Sequence, residues 1–234
     1  MKSHSISFAM VVFGLLALLP KATWGVSTPV SSMEWATRVL EEVLVIPQGG
    51  LPRSIFNQAQ AVVVFPGATR SGLAEGGRVA EGVMVSKNPD DTWSNPALVS
   101  LREPASGSSQ AGLTNDFILV FTDREGVNAL GKAPLVLGSD VTVEGGPLEG
   151  VDKLGSVGQA QVYSYSLERG GELAGLALTG VVLQFDRAAN EDFYDTQGLT
   201  LTGIFTNRSI AVPVVAGRFK CTLAMHTHVK QMCG

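Results

Sequence analysis

The segment 65–82 constrains the fold of this chain most strongly, because it places five glycines between two apolar runs, 61–64 and 83–85. Glycine adopts positive φ and allows close approach to the main chain. Two strands separated by so many glycines predict either a bent corner of a sheet or a place where a ligand meets the backbone. Arg70 and Arg78 lie in the same segment and carry planar, permanently charged groups that suit phosphate or carboxylate. The residue types alone leave both interpretations open.

The composition is typical of a globular protein rich in β-sheet. The 234 residues suit one domain, or one domain with extensions, and only 16% of them are charged. The 27 glycines and the many β-branched residues favour sheet over helix. Alternating and continuous apolar runs predict strands at 60–65, 78–87, 95–102, 116–121, 134–143, 157–167, 173–178 and 180–185.

An amphipathic helix is predicted in the N-terminal region 26–45, after the capping residues Ser31 and Ser32. Trp35, Val39 and Val43 recur at near-helical spacing, which favours a helix packed on the core. The alternative is a membrane-surface helix, but acidic residues outnumber the one arginine of this segment. Short helices are also predicted at 51–60, 123–130 and 187–194. The fold class is therefore α+β: a single domain with a mainly antiparallel, glycine-rich sheet, N-terminal helices and short helices between strands.

Residues 1–25 have the pattern of a secretory signal peptide. Lys2 gives a positive start, the apolar run 6–19 is short for a membrane span, and Pro20 follows it. An uncleaved anchor is the alternative. We expect export to the periplasm or the medium, with peripheral attachment to a membrane.

The charge of the chain argues against nucleic acid as a partner. The formal net charge is −4, and cleavage of a signal peptide that contains Lys2 and Lys21 makes the remainder more acidic. Such a protein repels phosphate backbones. Any attraction to an anionic lipid must therefore come from a local cluster of cations.

Several short motifs occur in the order typical of the SYLF domain family, a family of lipid-binding domains, and the chain resembles it over about 46–194. They are Ile46-Pro47, Trp93-Ser94-x-Pro96, Asp116 before the apolar run 117–121, Gly126-Val127, Leu137-Gly138, Gly146-Pro147, Val162-Tyr163-Ser164-Tyr165-Ser166 and Ala174-Gly175. The chain departs from the family pattern at 104–112 and at Glu172, where the family has an apolar residue. The SYLF-like domain is placed at 46–195.

The resemblance implies binding of a phospholipid with an anionic, phosphoinositide-like headgroup, without catalysis. Arg70 and Arg78 would pair with the lipid phosphate. Main-chain N–H groups would assist them, other cations would extend the basic patch, and apolar side chains would meet the acyl chains. These supporting residues are Gly72, Gly76, Gly77, Arg53, Lys87, Phe65 and Leu73. The alternative is a structural or protein-interaction module, since fungal relatives of the domain bind actin; here it could act as an envelope scaffold. The oligomeric state stays open.

Catalytic motifs are incomplete in this sequence. Gly126, Gly131 and Lys132 have the spacing of a phosphate-binding loop, but Ala133 stands where Ser or Thr would hold magnesium and Pro134 opposes the helix that should follow. No G-x-S-x-G nucleophile motif occurs. The sequence therefore predicts no enzyme, no cofactor and no metal.

The region 196–234 is predicted to be a C-terminal extension. Cys221 and Cys233 enclose His226 and His228 in it. In an oxidising compartment we expect a disulfide between the two cysteines at the base of a hairpin centred on Thr227. A zinc site and a disordered tail are the alternatives.

Overall fold

A computed structural model describes residues 28–67, 72–74, 77–102, 115–150, 160–168, 170–227, 229–230 and 233, with the backbone alone at 72–74 and 77–79. The predicted signal peptide lies outside these residues. Within them, helices and a mostly antiparallel sheet form one α+β domain, which confirms the predicted class. No helix among the described residues has the length and apolar character needed to cross a membrane.

Ten strands of the described chain form one sheet. They are β1 Ala61–Phe65, β2 Gly72–Ala74, β3 Gly77–Ser86, β4 Ala97–Arg102, β5 Asp116–Phe121, β6 Leu135–Val136, β7 Val143–Gly145, β8 Val162–Leu167, β9 Leu173–Gly175 and β10 Val182–Phe185. Their order is β6-β10-β4-β3-β1-β5-β8-β7, with β2 beside β3 and β9 beside β8. Among these strand pairs, β7 and β8 are parallel and the others are antiparallel.

Six helices lie in the described part of the chain. They are α1 Pro29–Leu44, α2 Arg53–Gln58, α3 Arg124–Leu130, α4 Arg187–Tyr194, α5 Leu201–Thr206 and α6 Val214–Met225. The helix α1 contacts β1, β3, α4 and α6. All five residues of β1 are fully buried, so both faces of the central strand are covered.

The sheet curls around α3. This helix contacts β5, β6 and β10. In a flat sheet β6 and β5 would be about 24 Å apart, at about 4.8 Å for each of the intervening steps. A seven-residue helix is only about 10 Å long, so the sheet must bend to bring both strands to it.

Gly82 explains part of the glycine-rich pattern. A Cβ atom at this position would lie 2.4 Å from Cδ1 of Phe65. The aromatic ring therefore occupies the space that a side chain on β3 would need. This glycine serves the packing of β1 on β3.

Three local predictions are corrected by the structure. The predicted strand 134–143 is interrupted by a turn, in which Gly138 has a φ of +84° and Asp140 accepts a hydrogen bond from the Val136 N–H (2.7 Å). The helix α1 begins earlier than predicted, because Thr28 is its N-cap and shares a capping box with Ser31. Trp35 does not lie on the buried face of α1, which Met33 and Ala36 occupy instead.

The predicted C-terminal hairpin is wrong, because α6 passes through Cys221 as a helix. Phe219 and Leu223 on α6 are fully buried, and the helix packs on α1. A disulfide joins Cys221 to Cys233. Beyond α6, the Thr227 hydroxyl accepts a hydrogen bond from the indole N–H of Trp93 (3.3 Å). The C-terminal region is therefore part of the core of the domain.

Candidate functional site

The predicted basic patch is divided by strand β3. Arg78 lies near the first end of β3, and Lys87 follows its last residue. Nine residues of extended chain separate them by about 30 Å. Arg53 lies in α2, which leads into β1 at the Lys87 end, where the Gln60 carbonyl accepts a hydrogen bond from the Lys87 N–H (2.8 Å). One headgroup cannot contact both ends, so the prediction of a single patch is wrong.

Two further predicted contacts do not fit the structure. Phe65 has no exposed surface, so its predicted contact with acyl chains is wrong. The Lys87 ammonium lies 3.4 Å from the Asp91 carboxylate, and 19% of the Lys87 side chain is exposed. Its charge is already paired within the protein.

At the glycine-rich end of the sheet, β2 and the beginning of β3 form a short hairpin. The pairs between β2 and β3 are Gly72 with Val79, Leu73 with Arg78, and Ala74 with Gly77. Arg70 and Gly76 lie outside the described residues, as do the side chains of Leu73 and Arg78. The cradle for a lipid phosphate at this end therefore stays a prediction.

A surface that the sequence did not indicate lies between α1 and α6. On α1, the Arg38 guanidinium lies 4.7 Å from the centroid of the exposed Trp35 ring, a cation–π arrangement. On α6, Val214 is 93% exposed. Arg218 of α6 donates two hydrogen bonds from Nη2 to the Glu41 carboxylate of α1, at 2.9 and 3.2 Å.

These two helices enclose a groove of about 420 Å³, called the α1–α6 groove below. Its lining residues are Glu34, Thr37, Arg38, Val214, Val215 and Arg218. Tryptophan and arginine are enriched among the residues that contribute most of the binding energy at protein interfaces. The sequence did not reveal this groove, because no helix was predicted at Val214–Met225, which forms one of its walls.

A second cavity, called the acidic pocket below, lies where α1 and α4 begin beside β3 and β4. It has a volume of about 290 Å³ and is lined by Thr28, Pro29, Ser32, Glu81, Leu98, Val99, Asp186, Ala188, Ala189 and Asp192. The lining includes three carboxylates and no basic side chain. The Ser32 hydroxyl donates a hydrogen bond to Oε2 of Glu81 (2.9 Å).

The incomplete phosphate-binding motif does not form a phosphate-binding loop. Gly126 lies inside α3, and its N–H donates to the Asp123 carboxylate that caps this helix. Gly131 is the C-cap of α3. The motif thus describes the beginning and the end of one helix.

The buried tyrosines also have structural roles. Burial raises the pKa of Tyr165 and of Tyr194 far above the usual range of a phenol. The Tyr194 hydroxyl donates a hydrogen bond to the Pro96 carbonyl. Among the described residues, no three histidine, cysteine or acidic side chains are grouped to hold a metal ion.

Comparison with known proteins identifies a family. The profile of the Ysc84 family, described as "Las17-binding protein actin regulator", matches residues 104–226. This match covers more than half of the chain and includes α6. It also extends beyond residue 194, where the motif resemblance ended.

Curated relatives match a longer part of the chain. "LAS seventeen-binding protein 3" of Saccharomyces cerevisiae is 26% identical over 175 residues, which are 73% of this chain and 38% of the relative. "SH3 domain-containing YSC84-like protein 1" of Homo sapiens is 27% identical over 173 residues, 70% of this chain and 50% of the relative. The chain therefore spans half or less of the length of these relatives. The resemblance to the SYLF family is confirmed.

Proposed function

Because this chain belongs to the Ysc84 (SYLF) family, we propose that it is a non-catalytic module that binds a protein partner through the α1–α6 groove. The observation that carries the proposal is that the residues matched by the family profile include α6, which forms one wall of the groove. The family description and the yeast relative are both named for binding Las17. A Las17-type protein and actin are therefore the first partners to test.

The groove has the physical features of a binding surface. Val214 exposes most of its side chain, and covering it would remove apolar surface from water. Trp35 and Arg38 add a large, partly rigid contact area beside it. An exposed ion pair between Arg218 and Glu41 links α1 and α6 at the rim. A partner segment that presents an apolar side chain to Val214 and an acceptor to Arg38 would suit this surface.

The test compares binding of the full chain with that of two variants, one changed beside the groove at Trp35 and one changed in its lining at Val214. Trp35→Ala and Val214→Asp should each weaken binding to actin filaments in co-sedimentation, or to an immobilised Las17-type protein, at least about tenfold. Leu176→Asp is the matched control, because it changes an exposed apolar residue outside the groove. Val214→Asp changes a residue that is 93% exposed and should keep its free energy of unfolding within about 0.5 kcal/mol of the parent, and circular dichroism should show that all three variants stay folded.

Two outcomes would contradict the proposal. One is that neither partner binds the folded parent chain. The other is that the groove variants bind as well as the Leu176→Asp control does.

A second candidate function is binding of an anionic lipid at the glycine-rich end of the sheet. The SYLF motif resemblance supports it, and Arg78 lies at the glycine-rich end of β3, beside the short hairpin with β2. Flotation with phosphoinositide-containing liposomes at two salt concentrations would test it. We expect binding that weakens as salt rises and is lost in the double variant Arg70→Ala, Arg78→Ala. Unchanged binding by that folded variant would contradict the lipid site.

A further inference from the structure

We propose that the exposed face formed by α1 and α6 binds a second copy of this chain in a two-fold symmetric dimer. Glu34 and Arg38 line the α1–α6 groove, lie one helical turn apart on α1 and are opposite in charge. In a two-fold interface, a contact between two positions is repeated in the reverse direction. Glu34 of each copy would therefore meet Arg38 of the other, so these two positions supply two ion pairs.

The charges of Glu34 and Arg38 are not paired with each other within one molecule. A glutamate four residues before a basic residue is the favourable order for an ion pair inside a helix. Here the Arg38 guanidinium instead lies 4.7 Å from the centroid of the Trp35 ring. Among the described residues, no ion pair includes Glu34 or Arg38, and both side chains are exposed. They are therefore available for a carboxylate–guanidinium pair between two molecules.

The charge of this face suits a copy of itself. The carboxylates of Glu34 and Glu41 balance the guanidinium groups of Arg38 and Arg218, and Glu41 is already paired with Arg218. The face is thus neutral, whereas the whole chain carries a formal net charge of −4. Two copies repel each other through their net charge. A neutral face that presents both signs is where this repulsion is weakest and where charges of the two copies can complement each other.

Exposed apolar side chains on the same face add an attraction that does not depend on charge. Val30, one turn before Glu34, is 46% exposed, Trp35 is 36% exposed and Val214 is 93% exposed. Covering them in a dimer would remove apolar surface from water.

The size of the face predicts a weak dimer. The helix α1 is about 24 Å long, and two helices side by side are about 20 Å wide, so the face covers about 500 Å². A stable interface of standard size buries about 800 Å² on each partner. We therefore expect a dissociation constant between about 10 μM and 1 mM, with monomer and dimer in exchange.

A second copy on this face would cover the α1–α6 groove. Self-association would then compete with the protein partner that we propose for the groove. This consequence alone rests on the proposed function, because the dimer is measured on the chain without any partner.

The first test is analytical ultracentrifugation of the full chain between about 10 μM and 1 mM. We expect the average mass to rise with concentration from that of the monomer towards that of the dimer. Glu34→Arg and Arg38→Glu each bring like charges together across the two-fold axis and should each weaken self-association at least about tenfold. Glu144→Arg makes the same charge change as Glu34→Arg at an exposed position of β7 and should leave self-association unchanged. Circular dichroism should show that the variants stay folded.

The second test mixes the two weakened variants. In a pair made of one Glu34→Arg chain and one Arg38→Glu chain, opposite charges face each other again. The mixture should therefore associate about as tightly as the parent, although neither variant does so alone. The double variant Glu34→Arg, Arg38→Glu should recover self-association for the same reason.

Three outcomes would overturn the dimer. They are a parent chain that stays monomeric up to about 1 mM, a mixture that associates no better than the separate variants, and a loss in Glu144→Arg equal to that in Glu34→Arg. A dimer that forms while no partner binds would support this inference and remove the proposed function. Partner binding by a chain that stays monomeric would do the reverse.

Discussion

The helices α1 and α4 contact each other and pack on neighbouring strands of one sheet, but they are held there by different forces. Residues of α1 such as Met33, Ala36 and Leu40 are fully buried. The helix α4 is instead anchored through Asn190. Its side-chain oxygen accepts a hydrogen bond from the Leu98 N–H (2.9 Å), and its side-chain nitrogen donates to the Leu98 carbonyl (2.7 Å).

The anchor of α4 satisfies hydrogen-bonding groups of β4 at the point where the neighbouring strand β10 ends. The strand β10 pairs with β4 only as far as Val99. At the next position, the Asn190 side chain bonds both the N–H and the carbonyl of Leu98, and the carbonyl also accepts a hydrogen bond from the Asp186 N–H (3.2 Å). Apolar burial is non-directional and defines the face of α1 that is covered. Hydrogen bonds are directional and define the position of α4 along β4. The acidic pocket lies between α1, which is held by apolar burial, and α4, which is held by hydrogen bonds.

The largest expected effect tests the apolar anchor of α1. Leu40→Ala removes a fully buried side chain and should lower the free energy of unfolding by about 3 to 4 kcal/mol, measured by urea denaturation. Val45→Ala, which changes a residue 70% exposed just after α1, should change it by less than about 0.5 kcal/mol. If Leu40→Ala lowers the free energy of unfolding by less than about 1 kcal/mol, apolar burial is not what holds α1 in place.

The second-largest effect tests the disulfide of α6, the helix that packs on α1. Cys233→Ser opens the disulfide to Cys221 and should lower the free energy of unfolding by about 2 to 3 kcal/mol, because a short loop is no longer closed in the unfolded chain. The parent measured with reductant should behave like the variant. If reductant lowers the stability of Cys233→Ser as well, the effect does not come from this disulfide.

A smaller effect tests the polar anchor of α4. Asn190→Ala leaves the N–H and carbonyl of Leu98 without their side-chain partner and should lower the free energy of unfolding by about 2 kcal/mol. Hydrogen exchange should show faster exchange of the Leu98 amide, while the amides of α1 stay protected. Equal loss of protection in both helices would mean that α1 and α4 are held as one unit.

The smallest effect compares the two N-caps. Thr28→Ala on α1 and Asp186→Ala on α4 each remove an acceptor for a helix N–H and should each lower the free energy of unfolding by about 1 kcal/mol. Asp186→Asn keeps a capping oxygen while removing one charge from the acidic pocket. The midpoint of thermal unfolding should therefore stay close to that of the parent. A loss of stability as large as that of Asp186→Ala would show that the charge, rather than the cap, stabilises α4.

The sequence predicted the elements far better than the sites. The period of apolar residues predicted α1, and the short helix predicted at 123–130 is α3. Continuous apolar runs gave β1 and β5 within one residue. The extension of the predicted patch from Arg78 to Lys87 is wrong, because an extended strand carries these two residues to opposite ends of β3.

Apolar periodicity, helix caps and the order of short motifs are properties of neighbouring residues, so the sequence by itself determined the main elements and the family. Tertiary structure alone decided which side chains share a surface. Ser32 meets Glu81, and Asn190 meets Leu98, across 49 and 92 positions of sequence. Strand register, the curl of the sheet around α3 and the docking of α4 bring these residues together. Each depends on packing between distant parts of the chain, and no local pattern encodes it.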